Sequence, residues 1–356
     1  MQILIFVGLY GLINVYLFRT AWTAFPQLEV FWATSIGLLF LSLFAAVFLE
    51  KRKAIRASLP FSWIGYTWLG LAGIALTLAA LTDLAQLFTS SLSDRAQFWI
   101  VAIGTGSLGM WAGWEAQRVR VKRVSMVSNK ELFADRPLKI IQISDLHLGD
   151  SSSLKRVKKL VARINEEKPD LVVSTGDLFD GYLELMAPFV DALRSIDAPL
   201  GKFAVSGNHE VYAGLDDALS LTELAGFKPL RNEASFVLET MRVAGVEDPA
   251  SPMRPDEDTA LGLITNKAFT LLLKHRPAFE PASKGRFDLQ LSGHTHGGQI
   301  APFHLLTKLA YKAKPGLSEL APKQYLYLSR GTGSWGPQLR LLAPNELTVI
   351  EITPSP

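Results

Sequence analysis

The sequence predicts an α/β domain preceded by four membrane-spanning helices, and two observations support this. The first 123 residues contain four long uncharged runs and seven of the eight tryptophans. From residue 138 onward, short apolar runs rich in β-branched residues alternate with polar turns and amphipathic segments. Alternation of this kind is typical of α/β domains, whereas the uncharged runs have the length of membrane spans.

The four uncharged runs are each expected to form a helix that crosses a bilayer. A span needs about 20 residues, and its backbone polar groups must pair within the segment because lipid offers them no partners. No ionisable residue interrupts any run, which argues against a transporter and favours an anchor. The predicted spans cover residues 1–18, 30–49, 60–82 and 96–114.

The distribution of charge predicts the domain boundary and the orientation. Residues 1–123 carry 10 Lys/Arg and 5 Asp/Glu, whereas residues 124–356 carry 26 and 28. We therefore expect an anchor over residues 1–123 and a second domain over residues 124–356. Most basic residues lie at the ends of the second, third and fourth runs that face one side of the membrane. Because positively charged loops usually stay in the cytoplasm, we expect that side and the second domain to be cytoplasmic. The spans would lie in the inner or plasma membrane. The basic residues are Lys51, Arg52, Lys53, Arg56, Arg118, Arg120, Lys122 and Arg123.

The second domain is expected to alternate strands with helices. Helical spacing of apolar residues predicts helices at 154–164, 183–193 and 216–224. Short apolar runs predict strands at 138–143, 171–173, 203–205, 270–273, 289–291, 325–328 and 347–352. Polar, Gly-rich clusters recur just past these strands, where open α/β sheets place their sites.

Five of the six histidines follow predicted strands, and acidic or amide residues accompany them. The chain has no cysteine, so disulfides and thiol ligands are excluded and a metal must bind nitrogen and oxygen. Imidazole and carboxylate suit Mn, Fe or Zn. The candidate metal ligands are Asp145, His147, Asp177, Asn208, His275, His294 and His296.

Seven donors predict two divalent ions. If one carboxylate bridges, each ion receives four protein ligands, with room for a hydroxide and a substrate. Two such ions can hold both oxygens of an in-line phosphoryl displacement, and the net positive site suits an anionic phosphate. His209 is left over and is expected to protonate the leaving oxygen, so His209, Asn208 and Asp177 are the candidate catalytic residues. The overall net charge of +3 is too small to predict nucleic-acid binding.

The order of these motifs closely resembles the calcineurin-like metallophosphoesterases. The resemblance implies a four-layer α/β/β/α sandwich with a dinuclear site in which Asp177 bridges the ions. One ion would be held by Asp145, His147, Asp177 and His296, and the other by Asp177, Asn208, His275 and His294. The motifs are Asp145-x-His147, Gly176-Asp177, Gly207-Asn208-His209-Glu210, His275 and Gly293-His294-x-His296.

The extended segment 293–299 and Ser329-Arg330-Gly331 are similar to the membrane-associated branch of that family. That branch includes transmembrane proteins with a metallophosphoesterase domain and enzymes that cleave a UDP-diacylglucosamine pyrophosphate. The resemblance implies a membrane-anchored hydrolase of a phosphodiester or pyrophosphate. The anchor favours a lipid-linked substrate, because a soluble substrate gains nothing from four spans beside the site, and membrane lipids are the expected neighbours. Two alternatives stay open: a hydrolase of soluble nucleotides or phosphoproteins, and a non-catalytic membrane scaffold that keeps its metal.

Several further polar residues have weaker functional indications. Arg330 and Arg340 are candidates for binding a phosphate or a headgroup, although a structural role is at least as good an interpretation. His304 is interpreted as a loop or packing residue. Asp180 and Glu210 are interpreted as residues that support the ligands or the turns.

Overall fold

The computed structural model describes residues 2–52, 54–88, 92–130, 132–133, 136–149, 152–262 and 268–355. Lys53, one of the basic residues used for orientation, lies outside these ranges. The chain forms two compact units, a helical unit and a sheet unit. The helical unit comprises Met1–Gln117, Ile300–Phe303 and Trp335–Leu342, and the sheet unit comprises Arg118–Gln299, His304–Ser334 and Ala343–Pro356.

All four uncharged runs lie in helices of the helical unit. The helices are α1 (Gln2–Ala24), α2 (Glu29–Lys51), α3 (Ile55–Gln86) and α4 (Asp94–Ala116). Within the described residues, three segments are long and apolar enough to cross a membrane, namely Leu4–Ala24, Pro26–Lys51 and Ile55–Gln86. Helix α4 starts with charged and amide side chains and does not reach that level, so the four-span count stays a prediction.

Two short segments from the second half of the sequence pack within the helical unit. Ile300, Leu339 and Leu341 share a buried apolar cluster with Ile74 of α3 and Ala112 of α4. The backbone N–H of Arg340 donates to the carbonyl oxygen of Ala112 at 2.9 Å. The helical unit is therefore built from three parts of the chain that are distant in sequence.

The sheet unit contains two six-stranded sheets. The first has the order β1 (Val119–Ser128), β12 (Asn345–Pro354), β2 (Leu138–Ile143), β3 (Leu171–Ser174), β4 (Lys202–Ala204) and β5 (Lys228–Pro229). Its pairs are parallel except for β12 with β2. The second has the order β10 (Gly316–Ala321), β11 (Gln324–Leu328), β9 (Leu289–Ser292), β8 (Phe269–Leu273), β7 (Met241–Gly245) and β6 (Glu233–Leu238). Its two outer pairs are antiparallel and its inner pairs are parallel.

Apolar clusters occupy both faces of the first sheet. One cluster combines side chains of the two sheets, including Ile140, Val173, Val243 and Leu271. A second lies between the first sheet and the helices α5 (Leu154–Glu166) and α6 (Ala187–Arg194). A smaller one joins the second sheet to α8 (Glu257–Leu261). The fold is therefore mixed α/β with two sheets, and the four-layer arrangement stays a prediction.

All of the predicted strands are found in the structure, whereas five further strands were not predicted. Strands β1, β5, β6, β7 and β10 were not predicted, and the expected boundary at residue 123 falls inside β1. The helix predicted at 183–193 is divided into a 3-10 turn, Leu183–Leu185, and α6. The helix predicted at 216–224 is the second part of a longer helix, α7, which spans Asn208–Leu224 and has a kink at Gly214.

Candidate metal centre

The predicted site residues follow strands that are parallel neighbours. Asp145 and His147 come after β2, Asp177 comes after β3, and α7 begins at Asn208 after β4. In the second sheet, His275 follows β8, and the pair His294 and His296 follows β9. Carboxyl ends of parallel strands meet at one edge of a sheet, which explains why residues so far apart in sequence converge.

The structure brings the carboxylates and imidazoles into three overlapping groups that could hold metal ions. These are Asp145–His147–His296, His147–Asp177–His209 and Asp177–His275–His294. Within each group, one potential ligand atom per residue lies within 4.8 Å of the others. His147 and Asp177 each occur in two groups, so the groups form one continuous centre.

The Asp177 carboxylate lies between the two sets of histidines. Its Oδ2 is 3.2 Å from His275 Nε2 and 3.7 Å from His147 Nε2. On one side, His147 Nε2 is 3.1 Å from His296 Nε2, which in turn is 3.5 Å from Asp145 Oδ1. These distances suit a carboxylate that bridges two cations.

The donors present fit divalent cations. His275 Nε2 and His294 Nδ1 are 3.1 Å apart, so two ring nitrogens point at one location on the second side as well. Asn208 Oδ1 is buried and has no hydrogen-bond partner among the described residues. Buried polar atoms are nearly always partnered, so this oxygen is available to a ligand such as a cation. Neutral imidazole, carboxylate and amide oxygen form a donor set suited to Mn, Fe or Zn.

Backbone amides and a hydroxyl orient the carboxylates of Asp177 and Asp145, whose Oδ2 and Oδ1 respectively face the neighbouring histidines. The His209 N–H donates to Asp177 Oδ1 at 2.9 Å, and the His294 N–H donates to Asp145 Oδ1 at 2.8 Å. Ser144 donates its hydroxyl to the second oxygen of Asp145. The carboxylates are therefore oriented before any cation binds.

Asp180 links two histidines of the centre. Its Oδ2 accepts from His147 Nδ1 at 3.2 Å and contacts His209 Nδ1 at 3.1 Å. His275 Nδ1 lies 2.8 Å from the carbonyl oxygen of Thr175 and donates to it in the same way. When Nδ1 carries the proton, Nε2 is free to bind a cation or to exchange a proton.

Glu210 supports the turns that carry Asp177 and Asn208. It is buried, and it accepts the N–H groups of Gly207 at 2.7 Å, Asp177 at 3.0 Å and Phe179 at 3.0 Å. One side chain thus joins the end of β3 to the start of α7. The residue acts on backbone positions and lies outside the three candidate ligand groups.

Five of the seven predicted metal ligands adopt left-handed backbone conformations. Their φ angles are 52° at Asp145, 46° at His147, 52° at Asp177, 71° at His294 and 49° at His296. Non-glycine residues rarely occupy this region, and each such residue costs on the order of 1 kcal/mol. Functional sites are where proteins tolerate this cost.

The carboxylates and imidazoles of the centre have strongly shifted pKa values. Burial raises the pKa of Asp177, but nearby His275 and His147 outweigh it and leave that pKa well below the usual range. Burial disfavours the charged form of His275, yet Asp177 raises its pKa to about 10. Burial, followed by repulsion from His275, lowers the pKa of His294 to about 4. For Asp145, burial is the largest effect and raises the pKa.

His209 has a partly exposed side chain (13%) and shares its partner Asp180 with His147. Its ring lies edge-on to His147, with centroids 4.6 Å apart. Burial lowers its pKa, but Asp180 and the other carboxylates outweigh burial and raise the pKa above the usual value. A protonated imidazole at the rim of the centre is able to donate a proton to a leaving oxygen.

The weaker candidates occupy structural positions. Arg330 donates to Glu346 at 3.0 Å, and Arg340 is fully buried in the helical unit. His304 begins the short helix α9, His304–Ala310. Beside His275, Arg276 pairs with Asp248 at 2.8 Å. Sequence reasoning did not identify Tyr311, whose ring centroid lies 5.6 Å from that of His294.

The chain is similar to a family model and to several known proteins. Residues 138–298 match the family model described as calcineurin-like phosphoesterase. An uncharacterized metallophosphoesterase of Aquifex aeolicus is 36% identical over 251 residues, covering 69% of this chain and 96% of that protein. One of Helicobacter pylori is 35% identical over 263 residues, covering 72% and 70%. A transmembrane protein with metallophosphoesterase domain of Danio rerio is 31% identical over 232 residues, covering 60% and 52%. The chain therefore belongs to the calcineurin-like metallophosphoesterase family and is a metal-dependent hydrolase of phosphoric esters.

Proposed function

We propose that the protein is a membrane-anchored dinuclear phosphoesterase that hydrolyses a lipid-linked phosphodiester or pyrophosphate. The observation that carries this proposal is the position of Asp177, whose Oδ2 lies near His275 on one side and His147 on the other. A carboxylate with imidazoles on both sides can bridge two adjacent cations.

We assign the ligands as the family resemblance implies. One ion would be held by Asp145, His147, Asp177 and His296, and the other by Asp177, Asn208, His275 and His294. When bound, the two ions would polarise the phosphoryl oxygens and supply hydroxide as the nucleophile at neutral pH.

The protein's own residues would then orient the metal ligands and protonate the leaving oxygen. His147 and His209 are held by Asp180, and Asp177 and Asn208 by the turns that Glu210 supports. His209 would pass its Nε2 proton to the leaving oxygen, since its Nδ1 faces Asp180. The proton would be replaced from solvent, because the His209 side chain is 13% exposed.

The membrane part of the proposal rests on the N-terminal helices. Three of them are long and apolar enough to cross a bilayer, and the Danio rerio relative is named as a transmembrane protein. A membrane-embedded chain gains most from a substrate that is itself confined to the membrane. We also propose that all four helices span, that the sheet unit is cytoplasmic, and that its helices and two sheets form four layers.

The test measures hydrolysis by the full chain in detergent with Mn²⁺, Zn²⁺ or Fe²⁺. We expect the Asn208→Ala and His209→Ala variants to lose about 100-fold or more in rate on a generic aryl phosphodiester. Asp197→Asn, an exposed carboxylate in the same unit, is the matched control. Full activity of either site variant would exclude the assigned mechanism.

The substrate class is tested separately by comparing lipid-linked with soluble pyrophosphates. A clear preference for the lipid-linked substrate supports the proposal. Faster hydrolysis of soluble nucleotides or phosphoproteins would identify the helices as a localisation device. Tight metal binding without turnover of any phosphoester would identify a scaffold.

A further inference from the structure

Helix α9 presents a leucine face to solvent. Leu305, Leu306 and Leu309 are 52%, 60% and 84% exposed. Their spacing places all three on one face of the helix. An exposed apolar face on so short a helix needs a partner.

The same stretch of chain is basic. Residues 304–314 contain Lys308, Lys312 and Lys314 and no acidic residue, and all three lysines are exposed. Leucines on one face with lysines at its margin are the composition of helices that lie in the interface of an anionic bilayer.

The chain that precedes α9 belongs to the helical unit. Residues 300–303 pack there, and the Phe303 ring lies against Gly73 of α3, where an added Cβ would come within 2.7 Å of it. Helix α3 is one of the segments long and apolar enough to cross a membrane. The start of α9 is thus covalently joined to a segment held by a candidate span, which favours lipid over a soluble protein as its partner.

The other end of α9 reaches the metal centre. The N–H of Tyr311 donates to the carbonyl oxygen of Thr307 at 2.8 Å, so Tyr311 continues the last turn. Its ring is edge-on to His294. At the start of α9, the backbone of His304 also packs directly on Gly298, which lies two residues after His296. Contact of α9 with a surface would therefore occur beside the residues that bind metal.

We propose that α9 is an interfacial helix whose leucine face inserts into a bilayer, while Lys308 and the lysines that follow the helix, Lys312 and Lys314, bind anionic headgroups. The metal centre then lies next to a lipid surface. This inference concerns a lipid contact and does not depend on which phosphoester is hydrolysed.

The absence of cysteine allows a direct test in the full chain. Leu309→Cys is labelled with an environment-sensitive fluorophore and reconstituted into phosphatidylcholine vesicles with or without phosphatidylglycerol. Leu224→Cys is the matched control, because Leu224 ends α7 and is 55% exposed. We expect quenching by brominated lipid to be about threefold greater at position 309 than at position 224 in the anionic vesicles.

The charge dependence is tested in the same assay. The combined variant Lys308→Glu, Lys312→Glu and Lys314→Glu should reduce the quenching at position 309, since each lysine near an anionic surface contributes roughly a fivefold gain in partitioning. Equal quenching at positions 309 and 224 would overturn the proposal. Energy transfer between labels on two chains, persisting in detergent without lipid quenching, would also overturn it and identify a second copy as the partner.

Discussion

Asp180 shows how one carboxylate can organise a centre in which it binds no metal. Its Oδ2 lies within 3.2 Å of Nδ1 of both His147 and His209, so it orients a proposed ligand and the proposed acid together. Burial raises the pKa of Asp180, but the hydrogen bonds from these two histidines outweigh burial and hold that pKa below the usual range. The carboxylate therefore stays ionised at neutral pH.

We expect the Asp180→Asn variant to lose about 10- to 100-fold in kcat or metal affinity, as is usual for residues that orient metal ligands. The measurement is steady-state hydrolysis together with a Mn²⁺ titration. Asp191→Asn, an exposed carboxylate on α6, should behave as the unsubstituted protein does. Unchanged kcat and unchanged metal affinity in Asp180→Asn would show that the two histidines are oriented by other contacts.

At the scale of elements, the start of α7 packs tightly against the centre. Gly207 precedes Asn208, and an added Cβ there would collide with the Asp177 carboxylate and lie 2.8 Å from the Asp177 nitrogen. Glu210 binds the same turn from the other side. The turn that leads into α7 therefore has no room for a side chain at position 207.

The Gly207→Ala variant should lose at least about tenfold in activity, because the methyl group displaces the proposed bridging carboxylate by a distance that matters for geometry-dependent catalysis. The check is kcat together with metal content after gel filtration. Gly106→Ala in α4 is the control, since an added Cβ there meets nothing within 4 Å. Normal metal content with normal activity in Gly207→Ala would contradict the assignment of Asp177 as the bridge.

The elements also show which parts of the fold the sequence predicts. Strands β2, β3, β8 and β9 are short and almost entirely buried, and their apolar residues give a clear strand pattern. Strand β1 alternates valine with basic residues, and the charges favoured an interpretation as a membrane-flanking loop. Strands β6 and β10 are half exposed, so their apolar residues give a weak signal.

At the scale of the whole molecule, residues distant in sequence combine in ways that a linear pattern does not record. The metal-ligand candidates could be predicted because each follows a strand, and parallel strands end at one edge. The assignment of residues 300–303 and 335–342 to the helical unit could not be predicted, because neither segment has the periodicity of a helix or a strand. The left-handed conformations of the ligands were also invisible, since no glycine marks them.

Metal removal should lower the stability of the sheet unit. A ligand present at 100 times its Kd stabilises the folded state by about 2.7 kcal/mol. We expect a chelator to lower the Tm of the full chain, as measured by intrinsic fluorescence in detergent. The Asp177→Asn variant, which lacks the proposed bridge, should show a Tm that does not respond to the chelator. A chelator-independent Tm of the unsubstituted protein would contradict a resident metal.

The left-handed ligands have a consequence for the life of the protein in a cell. Five strained residues, each costing on the order of 1 kcal/mol, are held in place by their surroundings, and bound cations add to that support. In a cell that lacks metal, a newly made chain has the same strained residues but not the stabilisation by bound cations. Its unloaded form should open more often, be degraded sooner and so keep the abundance of the enzyme in step with the supply of metal.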